Sequence, residues 1–253
     1  MTLFRPISDL HLEFQYFNLL KMEGEENQVL CINGDVNPSK MLHEIEMGTS
    51  KSTEVFFNDI KDRFKAVIYI CGNHEYYHGD VSEDDKKFKD FCNSYGFHFL
   101  QAGSVTIDNV TIIGATLWTN FNNNNSEMMN LASKTMNDYS LISDSSWDTA
   151  PLEFREFWTM KPRFTPSKAL EIHYNHLNAI DKEIEKARSK DKKAKVVVMT
   201  HHAPHYNSID QRYRSSSLNG AYFSDLEEFI VDKKPNLWFH GHVHQNFDYK
   251  IGS

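Results

Sequence analysis

Five short stretches of this chain gather the residue types that bind metal ions or move protons. They are Ser8-Asp9-Leu10-His11, Gly34-Asp35, Gly72-Asn73-His74-Glu75, Thr200-His201-His202 and Gly241-His242-Val243-His244. Carboxylate, imidazole and amide oxygen together suit Mn, Fe, Zn, Co or Ni rather than Ca. In an extended Asp9-x-His11 both side chains would point to one face and grip one ion. A lone Gly-Asp is ordinarily a turn, and a lone His-His pair is ordinarily surface. All five stretches in order, each closing an apolar run, are very hard to explain as structural residues. Asp9, His11, Asp35, Asn73, His74, His201, His202, His242 and His244 are too many ligands for one ion. Two ions sharing a bridging carboxylate are expected, roughly 3.5–4 Å apart, clamping both oxygens of an in-line displacement.

The elements that must position these groups are strands. Residues 3–7, 28–33, 66–71, 195–199 and 237–239 read as strands, each ending at one of the five stretches. Val29, Leu30, Cys31 and Ile32 run without alternation, as in a parallel strand covered on both faces. Ligands at the C-terminal ends of strands suit an open α/β sheet. Helical cover is predicted over 39–48 and 52–64, the latter with Phe56, Phe57, Ile60 and Phe64 as apolar positions. A helix over 82–95 would start at Ser82 as N-cap and stop at Gly96. Over 166–190, Leu170, Tyr174, Leu177, Ile180, Ile184 and Ala187 recur at spacings of three and four. Ser224 reads as the cap of a last helix to 231, and 247–251 as a closing strand. Short strands at 97–100, 105–107 and 110–113 include a hairpin turned at Asp108-Asn109. Strands alternating with helices indicate α/β layers. No linker divides the chain, so 1–253 reads as a single domain. An irregular lid-like insertion is expected around 115–165, with Trp118, Trp147, Phe154, Phe157 and Trp158. Within it the polar run 122–125 reads as a mobile loop.

Composition excludes some functions. The 253 residues carry a formal charge of −8, so no global basic field draws nucleic acid. An acidic chain can still bind phosphate where metal ions supply the positive charge. Cys31, Cys71 and Cys92 form no CxxC pair and read as reduced core cysteines of a cytoplasmic protein. There is no signal peptide and no apolar run long enough to span a membrane.

The ordered set Asp9-x-His11, Gly34-Asp35, Gly72-Asn73-His74-Glu75, His201 and Gly241-His242-x-His244 resembles the calcineurin-like metallophosphoesterase superfamily over nearly the whole chain. Thr200-His201-His202-Ala203-Pro204 and Leu237-Trp238-Phe239-His240-Gly241-His242 are similar to its small single-domain bacterial and viral members. The resemblance implies a two-sheet β-sandwich flanked by helices, four layers in the order α/β/β/α. It implies that Asp9, His11 and His244 hold one ion, that Asn73, His201 and His242 hold the second, and that Asp35 bridges them. The expected cofactors are two divalent or trivalent ions, with manganese the one to use in vitro. A hydroxide between the ions would attack phosphorus, and His74 would stabilise the transition state or protonate the leaving oxygen. Glu75, His202, Asn37 and Tyr76 are the candidates to orient His74 or meet the substrate.

The implied activity is a metallophosphoesterase, a hydrolase acting on a phosphodiester or a phosphomonoester. The alternatives are a nuclease or cyclic-nucleotide phosphodiesterase and, from another class, a non-catalytic metal-binding scaffold. Such a scaffold would be expected to have lost ligands or His74. The expected partner is a phosphate ester, with nucleotide or nucleic acid among the options, and no membrane. The loops 115–165 and 203–222 would choose among substrates. Two departures from the family pattern stand out. Pro38 replaces the acid that orients the catalytic histidine in protein phosphatases, and Ser39 replaces a phosphate-gripping arginine, which argues against a phosphoprotein substrate. Relatives also continue with an Asn-Pro-Arg-Gly-Tyr-like segment, so a shortened end at Ser253 is expected. Substrate, native metal, oligomeric state and the choice between His201 and His202 stay open at this level.

Overall fold

The apolar runs pair side by side. The computed structural model describes residues 2–46, 51–146 and 163–252. Strands β1 (Leu3–Ile7), β2 (Gln28–Asn33), β3 (Ala66–Ile70) and β4 (His98–Phe99) form one sheet in that order, all parallel. A second sheet contains β5 (Gly103–Ile107), β6 (Val110–Ala115), β7 (Lys195–Thr200) and β8 (Leu237–Phe239). Its first pair is antiparallel, turned at Asp108-Asn109 as the sequence predicts, and the rest is parallel.

The pleat of each strand feeds two cores. Val29, Cys31, Ile68 and Ile70 point inward and pack with Ile112, Val197 and Met199 of the second sheet. Their neighbours Leu30, Ile32, Val67 and Tyr69 point outward onto Phe56, Phe57, Ile60 and Phe88 of the covering helices. On the far side Ile113, Val196 and Val198 meet Ile180, Ile184 and Ile230. The layers are therefore helix, sheet, sheet, helix, the expected α/β sandwich. The continuous apolar run in β2 is explained by burial on both of its faces.

Several local expectations are corrected. The helix Asp84–Tyr95 has Glu83 at its N-cap without a side-chain cap, and Ser82 lies one residue further out, its hydroxyl donating to Asp144 at 2.7 Å. Ser224 likewise lies outside its helix. Its Oγ accepts the Asn120 N–H at 2.8 Å, and the last helix runs Glu227–Lys233. The tail 247–251 forms no strand, and Tyr249 lies with its hydroxyl 2.6 Å from Ser208 Oγ. Trp147, Phe154, Phe157 and Trp158 of the predicted insertion lie outside the described residues.

The asparagine run takes up a defined turn conformation. Phe121, Asn122, Asn123 and Asn124 have φ of 50°, 51°, 58° and 65°, a full left-handed turn. It is closed by Asn124 N–H to Asn120 O at 2.7 Å and Asn125 N–H to Phe121 O at 2.9 Å. Such a turn costs roughly 1–2 kcal/mol per L-residue, and asparagine tolerates it best. Full burial of Phe121 anchors it.

Candidate metal centre

The C-terminal ends of β1, β2, β3, β7 and β8 converge at one rim of the sandwich. Close approach of two of them requires glycine. A Cβ on Gly34, itself at φ 84°, would lie 2.4 Å from the Gly72 nitrogen, and one on Gly72 would lie 2.2 Å from Asp35 Oδ1. Five candidate ligands are themselves left-handed without being glycine: Asp9 (55°), His11 (47°), Asp35 (54°), His242 (70°) and His244 (49°). The Asp9-x-His11 stretch is therefore not extended, which corrects the sequence reading. Conformations of this kind cost about 1–3 kcal/mol each and persist where surrounding structure over-determines them. Here Asp9, His11 and Leu12 donate their N–H groups to Gly34, Asp35 and Val36 carbonyls at 2.8–3.0 Å. The His242 N–H donates to both Asp9 carboxylate oxygens, at 3.0 and 3.1 Å.

Glu75 is the clamp beneath this rim. It is fully buried, and its two oxygens accept the N–H groups of Asp35, Val36 and Gly72 and the Tyr69 hydroxyl, all at 2.7–2.8 Å. Burial and the Asp35 carboxylate push its pKa upward, and the hydrogen bonds from the Val36 N–H and the Tyr69 hydroxyl work against that shift. Glu75 thus ties the ends of β2 and β3 together and does not touch His74.

Two sets of ligand atoms result. Asp9, His11, Asp35 and His244 bring one atom each within 4.8 Å of one another, and so do Asp35, His201 and His242. Asp35 belongs to both. In the second set, His201 gives Nδ1 to the Asn33 carbonyl at 2.8 Å, which leaves its Nε2 facing the cluster. That Nε2 lies 3.0 Å from Asn73 Oδ1, 3.2 Å from His242 Nδ1 and 3.3 Å from Asp35 Oδ2. In the first set, His11 Nε2 and His244 Nε2 are 3.2 Å apart, and His244 Nε2 is 3.4 Å from Asp9. Acceptors gathered in this way attract positive charge. Burial lowers His201, but Asp35 overrides it and pushes the imidazole up to about 10. Burial would raise Asp35, yet His201 holds it well below the carboxylate range. Burial, with His202 and His201 beside it, holds His242 well below the usual histidine range.

The other candidates are placed as follows. His202 packs its ring 4.1 Å from that of His242, with Nδ1 3.3 Å from the Thr116 carbonyl. His201, not His202, reaches Asp35. Tyr76 turns away, its hydroxyl donating to Asp85 at 2.5 Å. Asn37 is buried and donates to the Pro38 carbonyl at 3.2 Å, so neither it nor Glu75 orients His74.

That partner is Glu13, which the sequence reading missed. Its Oε1 lies 2.9 Å from His74 Nδ1 and 3.3 Å from His11 Nδ1. Burial would raise this acid, but the bonds to His11 and His74 lower it. No local signal marks it, because the stretch 9–13 is not extended and alternation carries no meaning there. Asp138 was missed as well: buried in the insertion, it accepts from Asn73 Nδ2 and the Tyr77 hydroxyl, both at 2.8 Å, and so turns the Asn73 oxygen toward His201. The Tyr77 ring in turn stacks on His74, centroids 4.2 Å apart.

A two-sheet α/β sandwich with an Asp/His/Asn cluster at its strand ends defines a metallophosphoesterase-like class. The sequence model for calcineurin-like phosphoesterases matches residues 7–246, and the chain belongs to that family. The chain is 26% identical over 263 residues to "Uncharacterized protein L509" of Acanthamoeba polyphaga mimivirus, covering 96% of this chain and 85% of the viral one. A solved crystal structure aligns over 88% of this chain and 76% of its own at 12% identity and TM-score 0.45, too loosely to bear on function.

Proposed function

We propose that this chain is a dinuclear metal-dependent phosphoesterase with His74 as its general acid. The observation that carries the reading is the gathering of His201 Nε2, the Asn73 amide oxygen, an Asp35 carboxylate oxygen and His242 Nδ1, with His201 Nε2 3.0–3.3 Å from the other three. A cation bound there would take the place of the His201 proton, and the mixed donor set suits Mn, Fe, Zn, Co or Ni. Asp9, His11, Asp35 and His244 would hold one ion, and Asp35, Asn73, His201 and His242 the other. Such ions would supply a water of lowered pKa and positive charge toward the phosphoryl oxygens.

The remaining work belongs to side chains. Glu13 accepts the His74 Nδ1–H and fixes the ring, so Nε2 is the nitrogen free to meet substrate. A proton on that Nε2 passes to the departing oxygen as the P–O bond breaks. The Glu13 carboxylate stabilises the charged ring that must form between turnovers. It takes the place of the acid that Pro38 cannot supply. The His74 backbone N–H donates to Asp35 Oδ1 at 2.9 Å, which ties acid and bridging carboxylate into one unit.

The test is hydrolysis of nitrophenyl phosphate and bis-nitrophenyl phosphate by the chain reconstituted with Mn. Turnover should vanish with a chelator and return with Mn. Bound ions without turnover of either ester would favour the scaffold alternative.

A further inference from the structure

A cleft of about 350 Å³ lies between the left-handed asparagine turn and the segment 206–225. Both of its walls begin beside histidines at the strand ends, one at His202 and the other at His242. Trp118, two residues before Asn120, packs its ring 5.2 Å from that of His202. Tyr222, one residue before Phe223, stacks on His242 at 5.2 Å. The lining includes the amides Asn120, Asn122, Asn123 and Asn219 and the aromatic rings Tyr206 and Phe223. Asp225 is the one charged residue among the described lining, and it is negative. Arg214 is held over the Tyr206 ring, 5.2 Å from its centroid, and does not line the cleft. Such a lining repels phosphate and suits an uncharged group.

The cleft is built rather than incidental. The Asn120 N–H is fixed by Ser224, and Asn120 Oδ1 caps the turn at the Asn123 N–H. A Cβ on Gly220 would lie 2.9 Å from the Asn122 nitrogen, so the two walls touch at backbone distance. Four successive left-handed residues are spent on holding Asn122 and Asn123 at its edge. The Asn122 amide makes no hydrogen bond to a described residue, so its donor and acceptor are both available. A paired donor and acceptor beside aromatic rings matches the hydrogen-bonding edge and flat face of a nucleobase.

We propose that this cleft binds the nucleoside part of the ester whose phosphate sits at the metal cluster. The inference rests on the phosphoesterase reading for the phosphate but not for the nucleoside. The four ribonucleosides, free ribose as control, are titrated calorimetrically into the Mn-loaded chain. At least one nucleoside should bind, and ribose should not. Asn122→Gly keeps the left-handed backbone, because glycine adopts it freely, and should weaken that binding about tenfold, the discrimination of a paired amide contact. Phe223→Leu should weaken it by a similar factor. The ratio of kcat/KM for the nitrophenyl ester of the matching nucleotide to that for bis-nitrophenyl phosphate should fall with both variants. Nucleoside binding that neither variant changes, binding of ribose as well, or no nucleoside binding beside active hydrolysis of bis-nitrophenyl phosphate would overturn the cleft alone. Nucleoside binding that both variants weaken, with no ester hydrolysed, would support the cleft and overturn the phosphoesterase reading instead.

Discussion

His201 and His176 are both buried, yet their surroundings are opposite. At the strand ends, His201 gives one nitrogen to a carbonyl and aims the other at three more acceptors. On the long helix Pro166–Lys190, His176 Nδ1 accepts the Leu117 N–H at 3.2 Å, and His173 lies 3.2 Å from the Leu117 carbonyl. The helix pair brackets one peptide whose φ is left-handed, 71° at Leu117. Among the described residues no carboxylate pairs with either ring, and burial lowers His173 to about 4 and His176 to about 3. What separates a ligand from a core histidine here is the company of its second nitrogen, not burial. A further difference is backbone strain: the candidate ligands Asp9, His11, Asp35, His242 and His244 are held left-handed themselves, whereas His173 and His176 sit in a regular helix and steady a strained neighbour.

Substitutions can break this contrast. The largest effect is expected within the His201-His202 pair. His201→Ala should lose the inner ion and with it about a thousandfold or more of turnover, since an ion contributes several kcal/mol. His202→Ala should keep both ions by elemental analysis. The reverse pattern would mean that the wrong imidazole was assigned to the cluster. Next comes His74→Asn, expected to keep both ions and the fold while slowing turnover by about a hundred to ten thousand. The loss should be smaller for a nitrophenyl than for an alkyl leaving group, because the former needs little protonation. Metal loss in that variant would make His74 a ligand.

Glu13→Gln should cost less, about ten- to a hundredfold in kcat, the usual effect of removing the partner that orients a working histidine. The same leaving-group dependence should appear, which a purely structural role would not produce. An unchanged dependence, or lost metal, would place Glu13 with the ligands instead.

The smallest effect belongs to the helix pair and concerns stability. A histidine held neutral by burial binds fewer protons when folded than when unfolded. Stability is therefore lost as pH falls below the ordinary value of 6.5 toward about 4 for His173 and about 3 for His176. His176→Gln retains an acceptor for Leu117 and removes one titrating group. Its unfolding free energy should fall less steeply between pH 6.5 and 4 than that of the wild type, by up to about 1.4 kcal/mol per pH unit. Parallel slopes in denaturant titrations would show that His176 is not buried neutral.

The strand ends were legible because each candidate ligand follows an apolar run with no room for another reading. Val29 to Ile32 announced two covered faces, and the sandwich supplies them. Glu13 was not legible, since it lies beyond the Asp9-His11 stretch, in a segment without strand or helix, and its role depends on where His74 arrives from β3. Ser82 and Ser224 looked like caps by local rules, but the helices start further on, at Asp84 and Glu227, and the two hydroxyls bond to Asp144 and the Asn120 N–H. The left-handed turn of the asparagine run was not legible because nothing local reveals that Phe121 is buried or that Gly220 abuts Asn122.

The central claim is that Asp35 joins two clusters into one dinuclear centre. Elemental analysis with electron paramagnetic resonance on the Mn-reconstituted chain addresses it directly. The account predicts two Mn per chain with an exchange-coupled spectrum, and weakened binding with loss of coupling in Asp35→Asn. One Mn per chain, or two uncoupled ions in the wild type, would contradict it.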